Sequence, residues 1–141
     1  MILNREALIE RFKYNLNSLA NLQLRESRIQ QVDKDAFTGL TNLYSIDLGK
    51  NEIKHLDKDA FKGLKNLREI WLNNNQISSL DVDTFKGLEN LKAIYLNDNK
   101  FPAERLELYL EENVQYVTFK KKWQNDFFRR IKNTNEVNTV D

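Results

Sequence analysis

Leucine or isoleucine returns every 24 residues along most of this chain, and that period restricts the fold more than any other feature. Leu19, Leu43, Leu67 and Leu91 open the register. Leu22, Ile46, Ile70 and Ile94 follow three residues later, then Leu24, Leu48, Leu72 and Leu96, then Ile29, Ile53, Ile77 and Phe101. A period of this length marks a chain of stacked units, because one unit cannot enclose its own apolar side and gains a core only from its neighbours. Within each copy the spacing L-x-x-L-x-L alternates at its end, as a strand does. It sends Ile46 and Leu48, or Ile70 and Leu72, inward and the residues between them outward.

Other positions keep the same register. Asn51, Asn75 and Asn99 end the strands, where a buried amide can pair with N–H and C=O groups of adjacent turns. Ser27 takes this place in the first copy, which weakens the ladder there. Phe37, Phe61 and Phe85, each followed by x-Gly-Leu, are placed to stack into an aromatic spine on the opposite side, with Gly39, Gly63 and Gly87 ending a short helical turn. All of these read as core rather than as contacts for a ligand.

The two middle copies, LYSIDLGKNEIKHLDKDAFKGLKN and LREIWLNNNQISSLDVDTFKGLEN, resemble leucine-rich repeats of the 24-residue type found in receptor ectodomains. The resemblance covers about residues 16–119. It implies an α/β solenoid with a curved parallel sheet on the concave face, short helical turns on the convex face and helical caps at both ends. It also implies a binding module rather than an enzyme. The caps of that family usually carry disulfides, and this chain has no cysteine.

A solenoid must close both ends of its core, so atypical ends are expected. Residues 1–18 read as an N-terminal helical cap: Asn4 caps a helix through about Tyr14, with Leu3 and Leu8 in the hydrophobic-staple relation and Leu8 and Phe12 on one face. Residues 19–119 hold the repeats, with about five strands. Pro102 suits the first turn of a helix bearing Ala103, Leu106 and Leu110, and Val114, Val117 and Phe119 restore the strand pattern. Trp123, Phe127 and Ile131, at i, i+4 and i+8, predict a C-terminal helical cap over residues 120–132, and residues 133–141 read as a polar tail.

Composition narrows the function. The chain has 22 Lys and Arg against 21 Asp and Glu, a formal charge of +1, so no global field steers it toward nucleic acid or an anionic membrane. The lack of cysteine removes disulfides, thiolate metal sites and thiol nucleophiles. No apolar run approaches the roughly 20 residues that span a bilayer, so no membrane partner is implied. Without disulfides or an Asn-x-Ser/Thr site, a secreted protein and a cytoplasmic one fit equally. His55 is the single histidine, with no serine motif beside it. Asp33, Asp35, Asp57, Asp59, Asp81 and Asp83 recur with the repeat, which suits turn and capping residues better than a catalytic carboxylate pair or a calcium site. No catalytic residue, metal, cofactor or small-molecule substrate is therefore assigned.

The outward strand positions define a face column by column. The central column is Gln23, Asp47, Trp71, Tyr95 and Thr118. It is flanked by Asn21, Ser45, Glu69, Ala93 and Tyr116 on one side and by Arg25, Gly49, Asn73, Asn97 and Lys120 on the other. Ala20, Tyr44, Arg68, Lys92 and Gln115 lie further out. Neighbouring strands stand about 4.8 Å apart, so Trp71 and Tyr95 are adjacent on an open face. Trp, Tyr and Arg dominate binding hot spots. Trp71, Tyr95, Tyr116 and Arg68 are thus the expected anchors for a partner protein, with Asp47, Tyr44, Asn73, Asn97 and Glu69 around them; the plainer reading is that the rings only support one another across strands. The other rival is assembly, a homodimer formed through the same face instead of a monomer that recognises another protein or acts as an effector. Lys120, Lys121, Lys122, Arg129, Arg130 and Lys132 form a basic patch. It reads as the solvated face of the cap or as a weak contact for phosphate, nucleic acid or acidic protein.

Overall fold

A computed structural model of the chain describes residues 1–100 in full and, beyond them, the backbone of the strands within residues 116–140. Its larger sheet has seven strands. Four three-residue strands, β2 (Asn21–Gln23), β4 (Ser45–Asp47), β6 (Glu69–Trp71) and β7 (Ala93–Tyr95), pair in parallel, and β7 continues to β8 (Tyr116–Lys122). The register follows the 24-residue period: Leu22 stands opposite Ile46, Ile46 opposite Ile70, Ile70 opposite Ile94 and Ile94 opposite Val117. Parallel neighbours need a crossover of a dozen or more residues, and each copy supplies it as a coil around the core.

That core is one column. Leu22, Leu24, Ile29, Ile46, Leu48, Ile53, Ile70, Leu72, Ile77 and Ile94 are buried, as are Leu43, Leu67 and Leu91. Across it, Phe37 stacks on Phe61 with centroids 5.7 Å apart, and Phe61 on Phe85 at 6.1 Å. The coil holding each phenylalanine is bent by i to i+3 bonds, such as Ala36 N to Asp33 O and Leu40 N to Phe37 O. It turns at Gly39, Gly63 or Gly87, whose φ near +80° belongs to the region that glycine enters without strain.

The strand-end ladder runs through the side chains expected. Asn51 Nδ2 donates to Leu24 O and Leu48 O while its Oδ1 accepts from Ser27 N and Ile29 N. Asn75 and Asn99 repeat the pattern, donating to Leu48 O and Leu72 O of the preceding coil and accepting from Ile53 N and Ile77 N. A second ladder stands at the other end of the strands: Asn42 donates to Asn17 O, Asn66 to Thr41 O and Asn90 to Lys65 O. Its members are also 24 residues apart, so the period carried the signal, but the spacing Asn-Leu reads locally as an ordinary turn. Glu26, Lys50, Asn74 and Asp98, one per coil, all take positive φ where the backbone leaves the strand. Asn and Asp tolerate that region; Glu and Lys do so at a cost.

The N-terminal cap forms as the sequence predicts. Helix α1 (Arg5–Phe12) starts at Asn4, whose Oδ1 accepts from Ala7 N at 2.9 Å, and Leu3 and Leu8 are buried together over the first coil. A 3-10 run, Lys13–Ser18, completes it. Unforeseen from sequence is a second, three-stranded sheet, in which β1 (Ile2–Leu3) pairs in parallel with β3 (Gln31–Val32) and β3 with β5 (His55–Leu56). Two-residue strands leave no periodicity to read.

The C-terminal end differs from the expectation of a helix over 120–132 and a polar tail over 133–141. β9 (Asn125–Ile131) runs antiparallel to β8, and β10 (Val137–Val140) antiparallel to β9. Apolar residues at i, i+4 and i+8 suit a strand edge as well as a helix, and Phe127, Phe128 and Ile131 are strong strand formers. β8 also presents an unpaired edge, which a hairpin satisfies with backbone bonds that a packed helix does not supply. Residues 101–115, with the expected helix after Pro102, and Trp123 lie outside the described residues.

Candidate binding face

Side chains on the open face of the larger sheet are positioned by strand alternation alone. Asp47, Trp71 and Tyr95 share a column because Asp47 pairs with Trp71 and Trp71 with Tyr95 in the parallel register. The indole and phenol rings stack at 3.6 Å between centroids and 9° between planes. Both residues are half-buried, so the rings present edges and outer faces rather than the broad open patch expected from sequence. Cross-strand support and availability to a partner are therefore both features of the same pair.

The flanks differ in chemistry. On one side Glu69 is half-buried, Ser45 and Ala93 are buried, and Arg68 and Lys92 are exposed further out. Tyr44, 44% exposed, lines a cavity of about 650 Å3 with Asn66, Arg68 and Asn90. Neither Arg68 nor Tyr44 makes a side-chain hydrogen bond or ion pair among the described residues, so both are open to a ligand. On the other side Arg25 reaches across Gly49, its Nη1 3.5 Å from Asp47 Oδ1, and Gly49 N donates to that same oxygen at 2.8 Å. A Cβ at Gly49 meets Arg25 Nη1 at 2.4 Å and Asn73 Oδ1 at 2.8 Å, so glycine is there for room and not for its φ.

Asn73 and Asn97 sit deeper than their outward register implies, with 8% and 3% exposure. Asn73 Nδ2 donates to Asn74 Oδ1 and Asn97 Nδ2 to Asp98 Oδ2, while the Oδ1 of each is buried with no hydrogen-bond partner. They therefore add little to the surface that a partner could touch. Of the other expected residues, Tyr116 and Lys120, Lys121, Lys122, Arg129 and Arg130 lie in β8 and β9, but their side chains fall outside the described residues. Thr118 takes its column position opposite Tyr95.

The convex side brings together one set that sequence did not. His55, Asp57, Ser79 and Asp81 line an open cavity of about 400 Å3 beside the smaller sheet. No hydrogen bond joins His55 to Ser79 or to either carboxylate among the described residues, whereas a nucleophile and its base stand about 2.6–3.2 Å apart. Elsewhere on that side, a hydrogen bond to Asp59 and its charge hold the exposed Lys58 ammonium above the usual lysine range.

The parallel register, the asparagine ladder and the phenylalanine stack recur together at one period, and the leucine rich repeat family pattern matches residues 17–77 and 65–102, more than half of the chain. The chain belongs to the leucine-rich-repeat family. Among solved leucine-rich-repeat-like structures it is similar to the TLR13–ssRNA13 complex, at 26% identity and a TM-score of 0.68, covering 88% of this chain and 18% of that one. Internalin C2 of Listeria monocytogenes follows at 21% identity and a TM-score of 0.46, covering 76% of this chain and 55% of that one. Human 5T4, a trophoblast glycoprotein, matches at 19% and 0.42, covering 84% and 65%. This leucine-rich-repeat chain thus spans less than a fifth of the TLR13 chain. No curated protein sequence matches it.

Proposed function

We propose that the chain is a non-catalytic module that recognises a partner protein on the concave face, with Trp71 and Tyr95 at the centre and Arg68, Tyr44, Glu69 and Asp47 around them. The observation that carries this reading is the Trp71–Tyr95 stack on an otherwise polar sheet face. Stacking fixes both rings before a partner arrives, and anchors that are already ordered lose less side-chain entropy on binding. Arg68 and Tyr44 add the two other residue types enriched at energetic centres of interfaces. The same surface can serve recognition or an effector role, and Tyr116 belongs with it by register.

The test is a binding measurement on the wild type beside Trp71→Ala/Tyr95→Ala. The double variant should keep its far-UV circular dichroism and lose the partner by about thirtyfold or more if the rings are anchors. A partner bound equally by both sends the search to the convex side or the ends. Light scattering on dilution separates recognition from self-association, since a homodimer that uses the rings falls apart in the double variant.

A second reading has one observation in its favour: the TLR13 structure at 26% identity is a complex with single-stranded RNA. Aromatic stacking with Arg68 and Lys92 beside it is compatible with bases and phosphates. A net charge of +1 argues for few phosphate contacts. Binding of RNA through this face is then expected to be weak and lost by about 0.2 M salt; tight, salt-resistant binding overturns the protein reading.

A further inference from the structure

At the end of the strands, charges in neighbouring coils meet their opposites. Arg25 reaches Asp47, and Lys50 Nζ stands 3.4 Å from Glu26 Oε1. At the start of the strands the same step from coil to coil sets like beside like. Lys92 N donates to Arg68 O at 2.8 Å and Arg68 N to Tyr44 O at 2.7 Å, so Tyr44, Arg68 and Lys92 stand side by side in three successive coils. Arg68 and Lys92 are exposed, and neither forms an ion pair among the described residues. Like charges directly across from one another destabilise a sheet. The coils before carry Ala20 and Tyr44 in this column, so stacking does not ask for a cation there.

The cavity at this column differs in sign from others on the molecule. Three cavities elsewhere have carboxylates in their walls: Asp57 and Asp81 in one, Asp33 and Asp35 in the next, Asp59 and Asp83 in the third. The cavity of about 650 Å3 is lined by Tyr44, Asn66, Arg68 and Asn90, a wall with a cation and no carboxylate. Glu69 is half-buried and Glu89 exposed; both lie outside that wall, and neither pairs with Arg68 or Lys92. The wall is also fixed in place. Asn66 Nδ2 donates to Thr41 O at 2.7 Å and Asn90 Nδ2 to Lys65 O at 2.6 Å, and each keeps a second hydrogen to give.

We propose that this cavity takes an acidic side chain of the partner protein, an aspartate or glutamate whose carboxylate meets the Arg68 guanidinium, with Lys92 and the Tyr44 hydroxyl beside it. The inference rests on the protein-binding reading above and names the chemistry of one contact at its flank. A planar guanidinium fork matches a carboxylate with two parallel N–H bonds. The incoming charge also relieves the repulsion between the two neighbouring cations. A nucleic-acid strand fits less well, because it repeats its charge and asks for a basic groove that tracks the backbone. Here the column passes from Arg68 to Tyr44 and Ala20, and Glu69 stands next to Arg68.

The probe is a phage-displayed library of random dodecapeptides selected on the full chain in two arms, one counter-selected on Arg68→Ala/Lys92→Ala and the other on Trp71→Ala/Tyr95→Ala. Peptides from the first arm should share an aspartate or glutamate. In a synthetic copy, changing that residue to its amide, which keeps the shape and loses the charge, should weaken binding to wild type by about tenfold or more. Arg68→Glu should lose the acidic peptide and take up the copy in which lysine replaces the acid, an exchange of preference that a merely structural role does not produce. The amide comparison on wild type stands even where a variant fails to fold. Binders from the ring arm, with none from the first arm or none there that share an acid, overturn this inference and leave protein binding intact. Two empty arms overturn both. An oligouridine that binds wild type, is lost in Arg68→Ala/Lys92→Ala and displaces the acidic peptides puts a phosphate in the cavity and overturns it as well.

Discussion

Among the described residues two aromatic stacks stand out, and they obey the same period to different ends. Phe37, Phe61 and Phe85 lie fully buried at 5.7 and 6.1 Å, one in each of three coils. Trp71 and Tyr95 lie at 3.6 Å, half-buried, in two coils only, and the same column holds Gln23 and Asp47 in the coils before. Where every copy agrees, the residue serves the stack of coils. Where copies differ at an outward position, stacking places no demand on the residue, and that is where recognition can be written.

The comparison can be broken most severely on the convex side. Phe61→Ala removes the middle ring from a stack enclosed by coils on both sides, and the expected loss is about 3–5 kcal/mol, read from denaturant unfolding. A loss near that for an exposed residue contradicts the enclosed spine. Asn75→Ala comes next. It strands Ile53 N and takes away one of the two asparagine donors at Leu48 O and at Leu72 O, which keep Asn51 and Asn99, and should cost about 1–3 kcal/mol, with faster hydrogen exchange at Ile53 N.

On the concave side the effects should shrink. Gly49→Ala drives a Cβ into Arg25 Nη1 and Asn73 Oδ1, so the guanidinium must swing away from Asp47. The expected loss is about 1 kcal/mol, because the displaced group is the end of a flexible side chain and its ion pair is partly exposed. A crystal structure of the variant with Arg25 still on Asp47 refutes that account. Smallest of all, Trp71→Ala should lower stability by about 1 kcal/mol or less, the size of one cross-strand pair. A loss comparable to Phe61→Ala makes Trp71 a second spine and removes the contrast between the faces.

Much of this architecture was legible because the period enforces it. The inward ladder, the Phe spine, Asn51, Asn75 and Asn99, the Asn4 cap and the four outward columns depend only on alternation and register. Depth was not legible. Asn73 and Asn97 were placed on the correct face, but their burial depends on side chains folding down onto Asn74 and Asp98. The smaller sheet escaped because its strands are two residues long, and the hairpin of β8 and β9 because i, i+4, i+8 spacing at Trp123, Phe127 and Ile131 fits two structures. His55 and Ser79 share a cavity although they are a coil apart, a proximity no local motif displays.

Both asparagine ladders point the same way along the chain. Asn42, Asn66 and Asn90 donate to the coil before them, and so do Asn51, Asn75 and Asn99. Each coil therefore leaves the ribosome with carbonyls and amides that only its successor can close, and assembly acquires a direction: the newest coil is always the unfinished one. Under tension applied at the C-terminal side the same polarity makes the molecule a zipper, opened one coil at a time, each step exposing the backbone groups of the next.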